Sequence, residues 1–171
     1  MNRRLKQIWA PWRSKYVMNN EINTETKKFA GTNCFLCDIS TDPPIQDDLV
    51  LHKSENSFIV LNKYPYTPGH ILISPYAHQS DILESTEEEL LERAVLVNRS
   101  INALTREYNP DGFNIGMNLG SMAGAGLPGH LHIHVVPRWG GDTNFMPVIS
   151  EVKVLPETLL ITKSRLLPHF N

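Results

Sequence analysis

The stretch GHLHIHVVPRW, from Gly129 to Trp139, places three of the chain's seven histidines at alternate positions of an otherwise apolar run. Successive side chains of a β-strand point to opposite faces, so His130, His132 and His134 would share one face and the apolar residues between them the other. Imidazole nitrogens need hydrogen-bond partners, which makes a row of them a poor core filling. The pattern therefore predicts a strand over 130–137 with one core face and one functional face.

The composition limits the class of protein. A chain of 171 residues with 41% hydrophobic content predicts one domain over 1–171, with an N-terminal arm over about 1–33 and a C-terminal extension over about 150–171. A net charge of −2 provides no basic field, so neither nucleic acid polymers nor membranes are expected partners. No apolar stretch approaches a membrane span and no signal peptide is visible, so we expect a cytoplasmic protein.

The periodicity of the rest of the chain predicts an α+β fold. Ser85 and Glu88 form a capping box that opens a helix over 85–107, which ends near Asn109 and Pro110. The apolar stripe of this helix comprises Leu90, Ala94, Val97, Ile101 and Leu104. Strands are predicted at 49–53, 57–62, 71–75, 112–118 and 130–137, with 142–149 as a candidate for a further strand. We expect an antiparallel meander with one long helix packed on it.

A glycine-rich segment, NLGSMAGAGLPG over 118–129, directly precedes the histidines. Backbone without Cβ atoms can approach an anion closely, and consecutive N–H groups can form a phosphate-binding nest. The segment lacks the G-K-[ST] of a Walker loop, and alone it would indicate a plain turn. Beside three imidazoles it indicates a phosphate site, because imidazole is a nucleophile and proton carrier near neutral pH.

Several motifs together resemble one known family. HLHIHVV fits the H-φ-H-φ-H-φ-φ signature of the histidine-triad family of nucleotide hydrolases and transferases, and FIVLNKYPYTPGHILISPYAH over 58–78 resembles the other half of its site. PRWGGDTNF over 137–145, the IWAPWR arm and the CFLC pair are similar to the branch of diadenosine polyphosphate hydrolases, phosphorylases and ATP adenylyltransferase-like proteins. The resemblance covers roughly residues 8–150.

The resemblance implies an enzyme that cleaves dinucleoside polyphosphates, such as diadenosine tetra- or triphosphate. The reaction would proceed through a covalent nucleotidyl-histidine intermediate. His132 would attack the α-phosphorus, and His134 would polarise the nucleophile or the phosphate oxygens. His130 would act similarly or serve a metal, and His70 matches a further family histidine near the nucleophile.

The resemblance also implies substrate contacts. Asn62 matches the residue that binds the ribose hydroxyls, although capping of the turn before the next proline remains an alternative. Phe58 and Val60 lie on the same strand face as Asn62 and would line the base pocket. Asn118 and the glycine loop, including Gly126, would hold phosphate oxygens.

Cys34 and Cys37 form a C-x-x-C pair, for which a redox pair, half of a zinc site and two buried thiols are the possible interpretations. No thioredoxin-like context supports the redox interpretation. In the family, a P-x-x-H histidine and the first triad histidine complete such a site, and they correspond to His78 and His130. The resemblance thus implies a closed structural zinc site and no organic cofactor.

The acceptor and the reaction class have alternatives. Family members commonly carry glutamine or serine shortly before the first triad histidine, whereas this chain has Gly126, which favours water over phosphate as the acceptor. A diadenosine polyphosphate phosphorylase, a nucleotide-binding regulator with little turnover and a metal-hydroxide enzyme are the other hypotheses. Arg138 and Trp139 would either pack on the surface or contact the distal half of a substrate.

The resemblance finally implies an assembly. Family members have a five-stranded antiparallel sheet, and two subunits usually join it into a ten-stranded sheet. Leu91 and Val95 lie off the predicted stripe of the helix and are candidates for covering a partner, so we expect a two-fold homodimer.

Overall fold

The computed structural model describes residues 34–40, 49–142 and 155–171. The predicted N-terminal arm and all but the first residue of the candidate strand over 142–149 lie outside these residues. The helices are α1 (Phe35–Ser40), α2 (Glu87–Tyr108) and α3 (Leu159–Leu166), and the strands are β1 (Val50–Lys53), β2 (Ser57–Leu61), β3 (Ile71–Pro75), β4 (Gly112–Met117) and β5 (Ile133–Arg138).

The five strands form one antiparallel sheet with the order β1-β2-β3-β5-β4. The predicted α+β fold with a five-stranded antiparallel sheet is confirmed, but the predicted meander is wrong, because β5 rather than β4 pairs with β3 and β4 forms the edge. Strand β5 begins at Ile133 rather than at residue 130. The reason is that the Leu131 N–H donates to the carbonyl of Gln79 (2.6 Å), while the Leu131 carbonyl accepts from the Ser74 hydroxyl (2.9 Å). The segment before β5 is therefore held outside the ladder of hydrogen bonds.

The N-cap of the long helix is Thr86, one residue later than the predicted Ser85. Its capping box is formed by Thr86 and Glu89, not by Ser85 and Glu88. The structural reason is a preceding 3-10 turn, Ile82–Glu84, which has its own capping box and uses Ser85 as its C-cap. The helix ends as predicted, at a left-handed Asn109 before Pro110.

The buried face of α2 is also rotated relative to the predicted stripe. Leu104 is buried as expected, but Leu90 and Ala94 are exposed. The buried residues of α2 are Arg93, Leu96, Ser100, Ala103 and Leu104. The small side chains of Ser100 and Ala103 let this face lie close to the sheet, and the apolar residues at 90 and 94 are left on the outside.

The sheet separates two apolar layers. One face packs on α2, and the C-terminal segment adds the buried Leu166 and Phe170 to this core. The other face, which carries Phe58, Val60 and Leu72, packs on α1. The second face also carries the histidines, because His134 is the cross-strand partner of Leu72 and directly paired residues of a sheet share a face.

Candidate functional site

The tautomer of His132 is set by one backbone contact. Its Nδ1 lies 2.7 Å from the carbonyl oxygen of His130, and a carbonyl only accepts, so Nδ1 carries the hydrogen. In a neutral imidazole the other nitrogen then has an unprotonated lone pair. His132 is 7% exposed, which places this nucleophilic Nε2 in a protected position.

A second chain of hydrogen bonds orients His70 and His134. His70 Nδ1 accepts from the backbone N–H of Tyr66 (3.1 Å) and from the side-chain amide of Asn62 (3.2 Å). Nε2 of His70 therefore carries the hydrogen and donates to Nδ1 of His134 at 2.9 Å. Burial, with a smaller contribution from positive charge on His132, lowers the pKa of His134 to about 4. His134 is thus neutral near pH 7, and its Nε2–H is the donor.

Asn62 has both ends of its side chain occupied within the protein. Its amide oxygen accepts from the backbone N–H of Tyr64 at 2.9 Å, while its amide nitrogen donates to His70. This is the turn-capping geometry left open by the sequence, with the additional effect of orienting His70. A contact of Asn62 with ribose stays a prediction.

An open cavity of about 630 Å³ borders His134. Asn118 lines it, as expected for a phosphate-binding residue, whereas Gly126 lies exposed in the glycine-rich segment. The other lining residues are Tyr66, Thr67, Asn114, Ile115, Gly116, Met117, Val136 and Arg138. The cavity provides room for a polar ligand beside His134, whose ring centroid is 4.9 Å from that of His132.

The two candidates for the base pocket have different surroundings. Phe58 is fully buried and packs against Tyr76, with ring centroids 5.2 Å apart. Val60 is also fully buried but borders a cavity of about 450 Å³, whose other lining residues are Phe35, Ile39, Leu49, Lys63, Leu159 and Leu160. The structure therefore brings Val60, on the histidine-bearing face of the sheet, to the wall of an apolar cavity.

Cys34, Cys37, His78 and His130 lie close enough to hold a metal ion, with their ligand atoms all within 4.8 Å of one another. Nδ1 of His130 is 3.2 Å from Sγ of Cys34 and 3.4 Å from Sγ of Cys37. Nδ1 of His78 is 3.1 Å from Sγ of Cys37. A tetrahedral zinc with ordinary bond lengths would separate sulfur and nitrogen ligands by about 3.5 Å, close to these distances.

His130 has the tautomer that a metal ligand requires. Its Nε2–H donates to the carbonyl of Pro75 at 2.9 Å, so the lone pair of Nδ1 faces the two thiols. Burial lowers the pKa of His130, which favours the neutral form. The side chain of His130 thus lies in the cysteine cluster, while its carbonyl holds His132.

Sequence reasoning missed two residues of the site. Tyr66 lies with its ring centroid 4.6 Å from that of His70, and Asn114 lines the cavity next to His134. A signal for Tyr66 was available, since it sits in the turn four residues before His70. Asn114 gave no signal, because its place next to β5 depends on the pairing of β4 with β5.

None of the helices in the described parts of the chain is both long and apolar enough to cross a bilayer. The cytoplasmic location stays a prediction.

The chain is similar to several known proteins. The model of the HIT domain family matches residues 44–141. AP-4-A phosphorylase from Mycobacterium tuberculosis is 37% identical over 161 residues, covering 93% of this chain and 81% of the relative. Bis(5'-adenosyl)-triphosphatase from Dictyostelium discoideum is 29% identical over 94 residues, covering 55% of this chain and 62% of the relative. A zinc-bound histidine triad family protein from Mycobacterium smegmatis superimposes with a TM-score of 0.64 at 25% identity, covering 80% and 91% of the two chains.

Proposed function

The chain belongs to the HIT domain family, and we propose that it cleaves dinucleoside polyphosphates at the α-phosphorus through a covalent intermediate on His132. The observation that carries the proposal is the hydrogen bond from Nδ1 of His132 to the carbonyl of His130, which in the neutral imidazole places the lone pair on Nε2. Two relatives, an AP-4-A phosphorylase and a bis(5'-adenosyl)-triphosphatase, have names that support this substrate class.

In the first step, Nε2 of His132 attacks the α-phosphorus in line, and the bond from that phosphorus to the bridging oxygen breaks. The departing nucleoside polyphosphate takes the electron pair of the broken bond. The Nε2–H of His134 donates to phosphate oxygen, where negative charge increases in the transition state. His70 and Asn62 act through His134, because their hydrogen bonds keep Nδ1 of His134 in the acceptor role.

In the second step, an acceptor attacks the same phosphorus, the nitrogen–phosphorus bond breaks and His132 regains its lone pair. With water as the acceptor, the proton of the water passes to solvent and a nucleoside monophosphate is released. Gly126 favours this outcome, because glycine offers an N–H but no side-chain donor to hold a strongly hydrated phosphate ion.

Phosphorolysis is a second candidate reaction, and a specific observation favours it. The relative that matches 93% of this chain is named a phosphorylase. The exposed Ser121 and the backbone of the glycine-rich segment are the donors that a phosphate ion would use in place of a side chain at position 126.

The remaining substrate contacts follow from the two cavities. Asn118 lines the cavity beside His134 and would hold phosphate oxygens. Val60 borders the apolar cavity beside α1, which suits a nucleobase. Phe58 would support that pocket from below, and Asn62 would reach the ribose only by exchanging its present hydrogen bonds.

We propose that Cys34, Cys37, His78 and His130 hold a structural zinc ion. The fit rests on the two thiols, the two Nδ1 atoms and the second hydrogen bond of His130 to Pro75. When bound, zinc would supply a four-ligand cross-link between α1 and the sheet, with no open coordination position for water. The phosphoryl transfer steps use none of its chemistry.

The test is isolation of the intermediate. Protein mixed with diadenosine tetraphosphate, quenched within milliseconds and digested, should show an adenylyl group on the peptide containing His132 by mass spectrometry. Products formed with and without millimolar inorganic phosphate identify the acceptor: ATP with AMP indicates water, and ATP with ADP indicates phosphate. Tight binding without intermediate or product would contradict the enzyme and favour a nucleotide-binding regulator.

A further inference from the structure

The histidine-bearing face of β5 continues beyond His134 into the cavity. Val136 and Arg138 follow at alternate positions and line the same cavity as His134. On the neighbouring strand, Gly116 is paired with His134 and Asn114 with Val136. A Cβ atom at Gly116 would meet no atom within 4 Å, so the space next to His134 is open. This face forms an open trough from His134 to Arg138.

Arg138 is fixed at the far end of the trough. Its Nε and Nη2 donate to the two carboxylate oxygens of Asp142 at 2.5 and 2.9 Å. Its Nη1 donates to the amide oxygen of Asn114 at 2.5 Å. A guanidinium has five N–H donors, so these three bonds leave two for a ligand. The exposed side chain is therefore held in one orientation at the wall of the trough and has two donors left.

Trp139, the next residue, has a different role. Its indole N–H donates to the carbonyl of Tyr108 at 3.3 Å, and its side chain is half-buried. It lines a separate cavity, between Tyr108 and the C-terminal segment. The sequence left two alternatives for these residues, surface packing and contact with the distal half of a substrate. Trp139 packs against its neighbours, whereas Arg138 lines the cavity at His134.

The distance from His134 to Arg138 fits a phosphate chain. Four residues of a strand span roughly 13 Å, which is the scale of an extended oligophosphate. A guanidinium at this distance is too far to touch the phosphorus attacked by His132. It can instead bind the phosphates that leave, for which a planar fork of N–H donors is well suited.

We propose that Arg138, positioned by Asp142 and Asn114, is a specificity-determining residue that binds the distal phosphates of a dinucleoside polyphosphate. The proposal rests on the proposed function, since it concerns the leaving half of that substrate. The contact of Arg138 depends on the length of the phosphate chain, and a substrate with one phosphate cannot make it.

The experiment compares diadenosine tetraphosphate with the 4-nitrophenyl ester of AMP, which has no distal phosphates. The variant Arg138→Gln should lower kcat/KM about tenfold to a hundredfold on the tetraphosphate and less than about twofold on the ester, as expected for charge-assisted hydrogen bonds. Arg106→Gln is the matched control, because Arg106 is an exposed arginine in the last turn of α2 and makes the same charge change away from the trough.

A second variant separates loss of the phosphate contact from a folding defect. Asn114→Ala keeps every charge and removes the amide that accepts from Arg138, so we expect a smaller loss than for Arg138→Gln, and a larger one on the tetraphosphate than on the ester. Equal losses on both substrates, or none on the tetraphosphate, would overturn the role of Arg138 while leaving the proposed function in place. A wild-type protein that cleaves neither substrate would overturn both.

Discussion

The three triad imidazoles have different partners, and these differences assign their roles. Nδ1 of His130 faces two thiols, and Nδ1 of His134 accepts from His70. His132 alone among the three has its Nδ1–H bound to a carbonyl and its Nε2 unprotonated. One hydrogen bond at each imidazole is therefore enough to distinguish the three histidines.

This assignment predicts the effect of His132→Asn. An asparagine amide can still donate to the carbonyl of His130, so folding and nucleotide binding should be nearly unchanged. Turnover should be abolished, because loss of a covalent catalyst costs far more than the ~1.4 kcal/mol of one decade in rate. Steady-state rates and calorimetric binding of a nonhydrolysable analogue provide the measurement. A variant that retains more than about a tenth of the wild-type rate would remove His132 as the nucleophile.

At the scale of elements, α1 needs support from outside itself. It has six residues, and a helix that short is not stable alone in water. It is held by the burial of Leu36 and Ile39 and by the cluster that joins Cys34 and Cys37 to His78 and His130. A metal ion in that cluster would attach α1 to the sheet.

We therefore expect one structural zinc per chain, with bonds of about 2.3 Å to sulfur and about 2.0–2.1 Å to nitrogen. Metal analysis and X-ray absorption of protein purified without chelator provide the test, and Cys34→Ser should lower both the zinc content and the melting temperature. Absence of zinc from the wild type would contradict the site. Loss of all activity on mild chelation, with folding unchanged, would instead favour a catalytic metal.

A second attachment joins α2 to the turn between β1 and β2. The carboxylate of Glu92 accepts from the backbone N–H of Asn56 (3.1 Å), from its side-chain amide (2.9 Å) and from the N–H of Ser57 (3.0 Å). Burial alone would raise the pKa of Glu92, but the hydrogen bonds from Asn56 and its neighbours outweigh it and leave this pKa below its ordinary value.

The Glu92 contact predicts a pH-dependent contribution to stability. Because the pKa is lowered in the folded state, the contribution is fully present above the ordinary value of 4.5 and is lost as the pH falls through the folded value. Glu92→Gln should lower the free energy of unfolding at pH 7 by about 1 kcal/mol, a modest figure because the carboxylate is partly solvated. Urea titrations at pH 7 and pH 3.5 should show that the difference from wild type shrinks at the lower pH. Glu87→Gln, an exposed carboxylate in the first turn of α2, is the control.

The elements also show what the sequence could predict. Short apolar runs bounded by turn residues located all five strands within three residues, and two of these strands, β2 and β3, are buried along their whole length. Helical periodicity misplaced the buried face of α2. The reason is that Arg93, an arginine expected at the surface, is only 2% exposed. No helix is predicted over residues 35–40, where the structure has α1. Six residues are too few to show a helical period, and tertiary contacts stabilise the helix.

The site was predictable to a similar extent. The shared face of the three histidines followed from strand alternation, which is a local property, whereas the grouping of Cys34 and Cys37 with His78 and His130 followed only from the family resemblance. The hydrogen bonds of Asn62 with His70 and of Arg138 with Asn114 were not predictable, because they depend on which strands are neighbours and on the register of their pairing.

At the scale of the whole molecule, both α2 and the edge strand β4 carry exposed apolar side chains. Leu91 is 67% exposed and Val95 57% exposed on α2, and Ile115 on β4 is 47% exposed. In the described part of the chain, β4 ends the sheet and pairs only with β5. An open strand edge beside exposed apolar side chains favours pairing with another chain. We propose that two copies join β4 to β4 about a two-fold axis, with their α2 helices side by side.

This homodimer predicts the effect of charges on its face. The double variant Leu91→Glu and Val95→Glu should shift the protein from dimer to monomer at micromolar concentration, because four carboxylates would meet across the axis without partners. Light scattering after size-exclusion chromatography measures the mass, and near-wild-type unfolding would show that each chain remains folded. Leu160→Glu is the matched control, since Leu160 is 69% exposed on α3, outside the proposed face. A wild-type monomer would refute the assembly, and dissociation caused by Leu160→Glu would move the interface to the C-terminal helix.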